Sequence, residues 1–243
     1  MIQETFQILQ FLEEEDQLYC LLVQHEELLT LELGEFLPEI VEESVEADPL
    51  ELGEFLPEIV EESVEADPTK EFKEAVGVSL NRFGNLIQGF AGGHPEINRE
   101  LAITCYQNAL TIWTWQDFPV NWAITQFSLG NAYCNRIRGD QAQNLEEAIT
   151  CFQNALTIAI LFRQDFPTYW ASTQMNLGNA YSKRIRGKQA QNLEEAITCY
   201  QNALTIRTRQ DFPTDWASTQ MNLGNAYSKR IRGKQAQNLE EAI

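Results

Sequence analysis

Asn144-Leu-Glu-Glu-Ala-Ile149 occurs again, unchanged, as Asn192–Ile197 and as Asn238–Ile243. A degenerate copy, Asn98-Arg-Glu-Leu-Ala-Ile103, precedes them. The starts lie 46, 48 and 46 residues apart, and the unit of 48 carries two extra residues near Ala159–Phe162. A fixed period of this size marks an array of stacked supersecondary units, each too small to bury its own apolar face alone.

Each copy opens the second helix of a unit. From Asn144, the residues Leu145, Ala148, Ile149, Phe152, Ala155 and Leu156 recur at helical spacing, so one face is apolar. Asn144 with Glu147 has the spacing of a capping box, as have Asn192 with Glu195 and Asn238 with Glu241. Asn98 has Leu101 at the third place and keeps only half of the device.

The first helix of each unit follows an Asp-Phe-Pro step, at Asp117–Pro119, Asp165–Pro167 and Asp211–Pro213. Proline is tolerated in the first helical turn, where its missing N–H would have no helical partner. Trp122, Trp170 and Trp216 follow, and then Leu-Gly-Asn-Ala-Tyr at Leu129–Tyr133, Leu177–Tyr181 and Leu223–Tyr227. Glycine inside a helix costs about 1 kcal/mol against alanine. Its recurrence at Gly130, Gly178 and Gly224 predicts helices too close for a side chain there. Counting back from Asn98 aligns Phe83-Gly84-Asn85 with Leu177-Gly178-Asn179, and Gly93 with Gly187. A worn unit therefore precedes the clear ones. The expectation is three complete units and the first helix of a fourth.

The pattern Leu177-Gly178, Tyr181, Ala196, Tyr200 and Ala203 resembles the tetratricopeptide repeat family, and the resemblance extends over residues 71–243. It implies an all-α solenoid of antiparallel helical hairpins in a right-handed superhelix. The family's usual unit is about 34 residues. The extra length here lies at Arg186–Gln191, between the helices, and at Ile206–Asp211, after the second. This long variant, with Phe-Pro-x-x-Trp-Ala and Asn-Ala-Tyr-x-x-Arg-Ile, looks like repeats of large cyanobacterial proteins that often end in a caspase-like CHAT protease domain. Residues Phe83–Phe90 look like their entry into the array. In the resembled family the first helices line a concave peptide groove. The matching positions are Asn131, Asn179 and Asn225, with Met175, Met221 or Phe127 one turn earlier and Lys183 and Lys229 one turn later. Asparagine amides can donate to and accept from a peptide backbone. The same asparagines can instead bridge neighbouring units.

Residues 1–70 form an acidic head. They hold 21 of the 36 acidic residues and a single basic one, Lys70, for a net charge of −20, whereas residues 71–243 carry +1. Within the head, Leu50–Pro68 repeats Leu31–Pro49 without one change. Each copy presents one apolar helical face (Leu33, Phe36, Leu37, Ile40 and Val41, or Leu52, Phe55, Leu56, Ile59 and Val60). Identity over 19 residues reads as an accidental tandem duplication. The near-neutral body argues against nucleic acid as its partner.

Chemistry finds little purchase. Cys105, Cys151 and Cys199 hold the same place in successive second helices, a unit apart rather than at metal-ligand spacing, and read as small core residues. Cys20 and Cys134 have no obvious partners, and nothing places His25 or His94 beside a thiol. No catalytic residue, cofactor or metal site is expected. Arg136-Ile-Arg138, Arg184-Ile-Arg186 and Arg230-Ile-Arg232, with Lys183, Lys188, Lys229 and Lys234, form either a basic edge or a complement to helix dipoles. No apolar run reaches the ~18–20 residues of a membrane span. Five cysteines and no export signal suggest reduced thiols and a cytoplasmic location.

Two functional readings remain: a scaffold that binds peptide or protein segments, and a regulatory arm of a larger CHAT protease protein. The sequence ends six residues into a second helix, which suggests a fragment or an early stop. An uncovered last helix would expose Leu223 and Tyr227 and promote self-association.

Overall fold

The computed structural model describes residues 57, 60, 61, 64, 69–89, 94–161 and 163–230. Seven helices run through residues 70–229: α1 Lys70–Gly89, α2 Pro95–Ile112, α3 Pro119–Cys134, α4 Gln141–Leu161, α5 Pro167–Lys183, α6 Gln189–Leu204 and α7 Pro213–Lys229. Pro57, Val60, Glu61 and Val64 are also helical. The fold is an all-α solenoid of paired antiparallel helices. The chain divides into two compact units, residues 1–132 and 133–243. The expectations for residues 1–56, for Gly93 and for the second helix starting at Asn238 lie outside the described residues.

In the first unit α1 packs on α2. Val76 and Leu80 of α1 close on Ala109 and Ile112 of α2 and on Trp113 and Phe118 beyond it. Val60 enters the same cluster and is only 4% exposed. Val64, which the expected apolar stripe omitted, packs beside it. In the second unit α5 packs on both α4 and α6, and α6 packs on α7. All six apolar positions read from the period of α4 are buried.

The sequence explains the starts of the first helices. Pro119, Pro167 and Pro213 each stand at the first residue of α3, α5 and α7. The aspartate before them closes the preceding turn rather than capping the helix. Thr114 Oγ1 donates to Asp117 at 2.8 Å while the Asp117 amide donates back, and Thr208 with Asp211 repeats the exchange. Where two residues are inserted, Phe162 replaces that threonine and α4 instead runs on to Leu161.

The capping-box expectation is not met. α4 and α6 begin four residues earlier than it required, at Gln141 and Gln189. Asp140 is the cap of α4, its carboxylate accepting from the Gln143 amide at 2.8 Å. Lys188 stands in that place before α6 and offers no side-chain cap. Asn144 and Asn192 are buried and fold back onto the loop. Their amides donate to the carbonyls of Arg138 and Arg186, at 2.8 and 2.9 Å. Gly139 and Gly187 turn the chain there with φ of 79° and 83°, a region that disfavours other residues.

Of the glycines inside the first helices, Gly178 and its counterpart Gly84 mark close approach. A methyl group on Gly178 would stand 2.8 Å from Cε1 of Tyr200 and 3.2 Å from the Ala196 carbonyl. On Gly84 it would stand 2.7 Å from Cε1 of Tyr106. The worn unit therefore keeps the same crossing, as the alignment of Gly84 with Gly178 requires. The expected exposure of Leu223 and Tyr227 is not found. Both are 8% exposed, and Tyr227 takes a hydrogen bond from Gln201 Nε2 at 2.9 Å as α7 lies on α6.

Candidate functional site

The face considered is built from α5 and α7, two successive first helices that touch one another. Each turns Leu177, Ala180 and Tyr181, or Leu223, Ala226 and Tyr227, into the core. At one-turn spacing beside them stand Met175, Asn179 and Lys183 on α5, and Met221, Asn225 and Lys229 on α7.

The structure divides these six. Asn179 is half-buried, and its carbonyl oxygen accepts from Tyr200 Oη at 2.9 Å and from Asn222 Nδ2 at 3.1 Å. It is a bridge from α5 to α6 and α7. Met175 lies against Thr219 and Arg207, with the Thr219 hydroxyl 3.6 Å from its sulfur. Met221, Asn225, Lys183 and Lys229 are exposed, Met221 at 62%. Asn131 is half-buried on α3 in the first unit and is not one of this group.

Arg207, just past α6, was not foreseen as part of this face. It is 6% exposed, yet among the described residues no carboxylate pairs with it. Its guanidinium donates to Thr219 Oγ1 at 3.1 Å and to Ser172 Oγ at 2.9 Å. A buried charge is costly unless its donors find partners, and these hydroxyls with the Met175 sulfur meet part of that need. Reading the repeats against one another gives the only sequence signal: Trp113, Ala159 and Arg207 follow the same Ala-Leu-Thr-Ile run.

The basic edge resolves into ties within the array. Arg184 holds Glu146 of α4 through Nε and Nη2 at 2.8 and 2.6 Å. Arg230 holds Glu194 of α6 in the same two-pronged way, at 2.9 and 3.0 Å. Each arginine also lies over a tyrosine of its own helix, Tyr181 or Tyr227. Gln153 and Gln201 add parallel bonds to the hydroxyls of Tyr181 and Tyr227, both at 2.9 Å. The hydrogen bonds from Arg184 hold the Glu146 carboxyl below the ordinary glutamate range, and the same bonds raise Arg184. With these arginines engaged, Lys183 and Lys229 carry the exposed positive charge of the face.

Nothing here is built for chemistry. Burial pushes the thiols of Cys105, Cys151 and Cys199 up to about 12 and that of Cys134 up to about 11. Thiols so protonated are poor nucleophiles and poor ligands. Among the described residues no three His, Cys, Asp or Glu side chains gather as a metal site. His94 is exposed at the start of α2. No described helix is long and apolar enough to cross a membrane.

Residues 170–209, which span most of α5, the loop and α6, match the tetratricopeptide repeat family. That segment carries a repeat of the tetratricopeptide type. The match is to the repeat in general and does not reach the long-repeat, CHAT-linked subtype. No curated protein matches the chain.

Proposed function

We propose that this tetratricopeptide array is a protein-interaction scaffold rather than an enzyme, and that the α5–α7 face takes an acidic peptide segment. The observation that carries the reading is the division of the face. Asn179, Met175 and Arg207 are spent on holding α5, α6 and α7 in register. Met221, Asn225, Lys183 and Lys229 stand exposed on that fixed frame. A rigid frame with an adaptable thioether, an amide and two ammonium groups suits an extended peptide with acidic side chains or a free carboxylate. Glu146 and Glu194 are already matched by Arg184 and Arg230.

The test is selection from a random peptide display library against the full chain. Enriched peptides should be acidic. Their binding should fall at least tenfold in the Lys183→Gln/Lys229→Gln variant and in Asn225→Ala, and weaken with salt. Peptides that are not acidic, or that bind those variants unchanged, would overturn the reading.

A further inference from the structure

The seat that receives Val60 is made by the array. Val76, Leu80, Ala109, Ile112, Trp113 and Phe118 close round it, and Val64 packs on its edge. Alongside runs a cavity of about 680 Å³, lined in part by Pro57, Glu61, Lys70, Lys73 and Asp117. Pro57, Val60, Glu61 and Val64 recur as Pro38, Val41, Glu42 and Val45 within an identical 19-residue context. Any contact that the side chains of 50–68 make with the seat is available, unchanged, to those of 31–49. The two occupants differ only in linkage. Pro68 runs straight into Thr69 and α1. Seating 31–49 would leave 50–68 as a loop between Pro49 and Thr69. The entropy of closing a loop rises only slowly with its length, so the difference is finite and modest. Charge favours either copy equally: each has seven acidic residues and no basic one, and Lys70 and Lys73 stand beside the seat.

We propose that the α1–α2 seat is a docking surface for an acidic amphipathic helix, and that residues 31–49 are a second, interchangeable occupant of it within the same chain. The resident copy prevails through its direct linkage. A change that spoils the resident copy hands the seat to the other. This inference is independent of the α5–α7 face.

The test compares Val60→Asp, Val41→Asp and the double variant in the full chain, reading amide hydrogen exchange along α1 and at Trp113. Val41→Asp should match the parent. Val60→Asp should lose no more protection than the loop-closure factor, on the order of a hundredfold for a loop of this size. The double variant should lose at least about tenfold more, since an unpaired carboxylate would then enter the seat whichever copy docked. Adding a synthetic peptide with the sequence of residues 31–49 should restore protection to the double variant. Equal loss in Val60→Asp and the double variant overturns the exchange. So does a double variant as protected as the parent, or one that the peptide does not rescue. Protection of Val60→Asp that grows with protein concentration would place the occupant on another chain and overturn exchange within one.

Discussion

The hairpins α1–α2 and α5–α6 use one lock in two settings. In each, a glycine of the first helix lies under a tyrosine ring of the second: Gly84 under Tyr106, Gly178 under Tyr200. In each, that tyrosine donates at 2.9 Å to the asparagine after the glycine, Asn85 or Asn179. A polar side chain of the next first helix then reaches the same asparagine oxygen, Ser128 at 3.3 Å and Asn222 at 3.1 Å. What differs lies just past the second helix, at the place that follows the shared Ala-Leu-Thr-Ile run. Trp113 is buried there in the first hairpin and Arg207 in the second. Gly77 faces the first of them: a methyl group there would come within 2.3 Å of the Trp113 indole. The crossing of the helices is thus held by a repeated hydrogen-bonded lock, while the plug at the end of each hairpin varies with whatever must cover it. At Trp113 the cover is Val60 and its neighbours. At Arg207 it is Ser172 and Thr219.

The plugs should differ most when removed. Trp113→Ala empties a packed site and should cost about 3–5 kcal/mol. Arg207→Met removes a buried charge that pairs with no carboxylate among the described residues, and Thr219 keeps its own bond to the Asp215 carbonyl at 2.7 Å. That change should be near neutral or stabilising, within about 1 kcal/mol either way. Denaturant unfolding of the two variants measures both. A loss of several kcal/mol in Arg207→Met would mean that the guanidinium holds the second hairpin as firmly as the indole holds the first.

The locks, in contrast, should behave alike. Gly84→Ala and Gly178→Ala each drive a methyl group into a buried tyrosine, at about 1–3 kcal/mol for overpacking. The better helix propensity of alanine returns about 1 kcal/mol. Both variants should be destabilised, by amounts equal to within about 1 kcal/mol. A tolerated Gly84→Ala beside a damaging Gly178→Ala would show that the worn unit has loosened its crossing.

A smaller effect separates the starts of α4 and α6. Asp140 caps α4 and Lys188 fails to cap α6 at the matching place. Lys188→Asp should therefore raise stability by about 1 kcal/mol, the usual value of a side-chain cap together with a negative charge at a helix start. Asp140→Lys should lower it by a similar amount. An unchanged melting temperature in Lys188→Asp would mean that Asn192 already satisfies this end of the helix.

These residues also show what the sequence could reveal. Patterns confined to one helix were legible. The apolar positions from Leu145 to Leu156 are all buried, and Gly84 and Gly178 do mark close crossings. Asn144 and Asn192 were misread because the cap and the residue that folds back onto the loop lie only four places apart, one helical turn. The α5–α7 face was legible only in part. The periodic positions were visible, but which of them are spent on the frame depends on partners from other helices. Asn179 meets Asn222, 43 residues on, and Arg184 meets Glu146, 38 residues back. Arg207 drew no reading at all, since only the fold brings Ser172 and Thr219 to it.

The smallest expected effect concerns those ties and has a definite sign in pH. Glu146 is held below the ordinary glutamate range chiefly by its hydrogen bonds from Arg184. A carboxyl whose folded-state pKa is depressed contributes stability above its unfolded value. That contribution disappears as pH falls through the folded value, because the unfolded chain then binds the proton first. The pair keeps part of its surface in water, with side chains 29% and 22% exposed, so its worth is about 0.2–1 kcal/mol. Glu146→Gln should lower stability by that amount at neutral pH. Parent and variant should converge as the pH drops below the ordinary glutamate value and on through the depressed one. High salt should shrink the neutral-pH difference. If the two instead stay parallel to the lowest pH at which the chain remains folded, the tie acts through shape rather than charge. The two-pronged fit of Arg184 on Glu146 would then matter only as packing between α4 and α5.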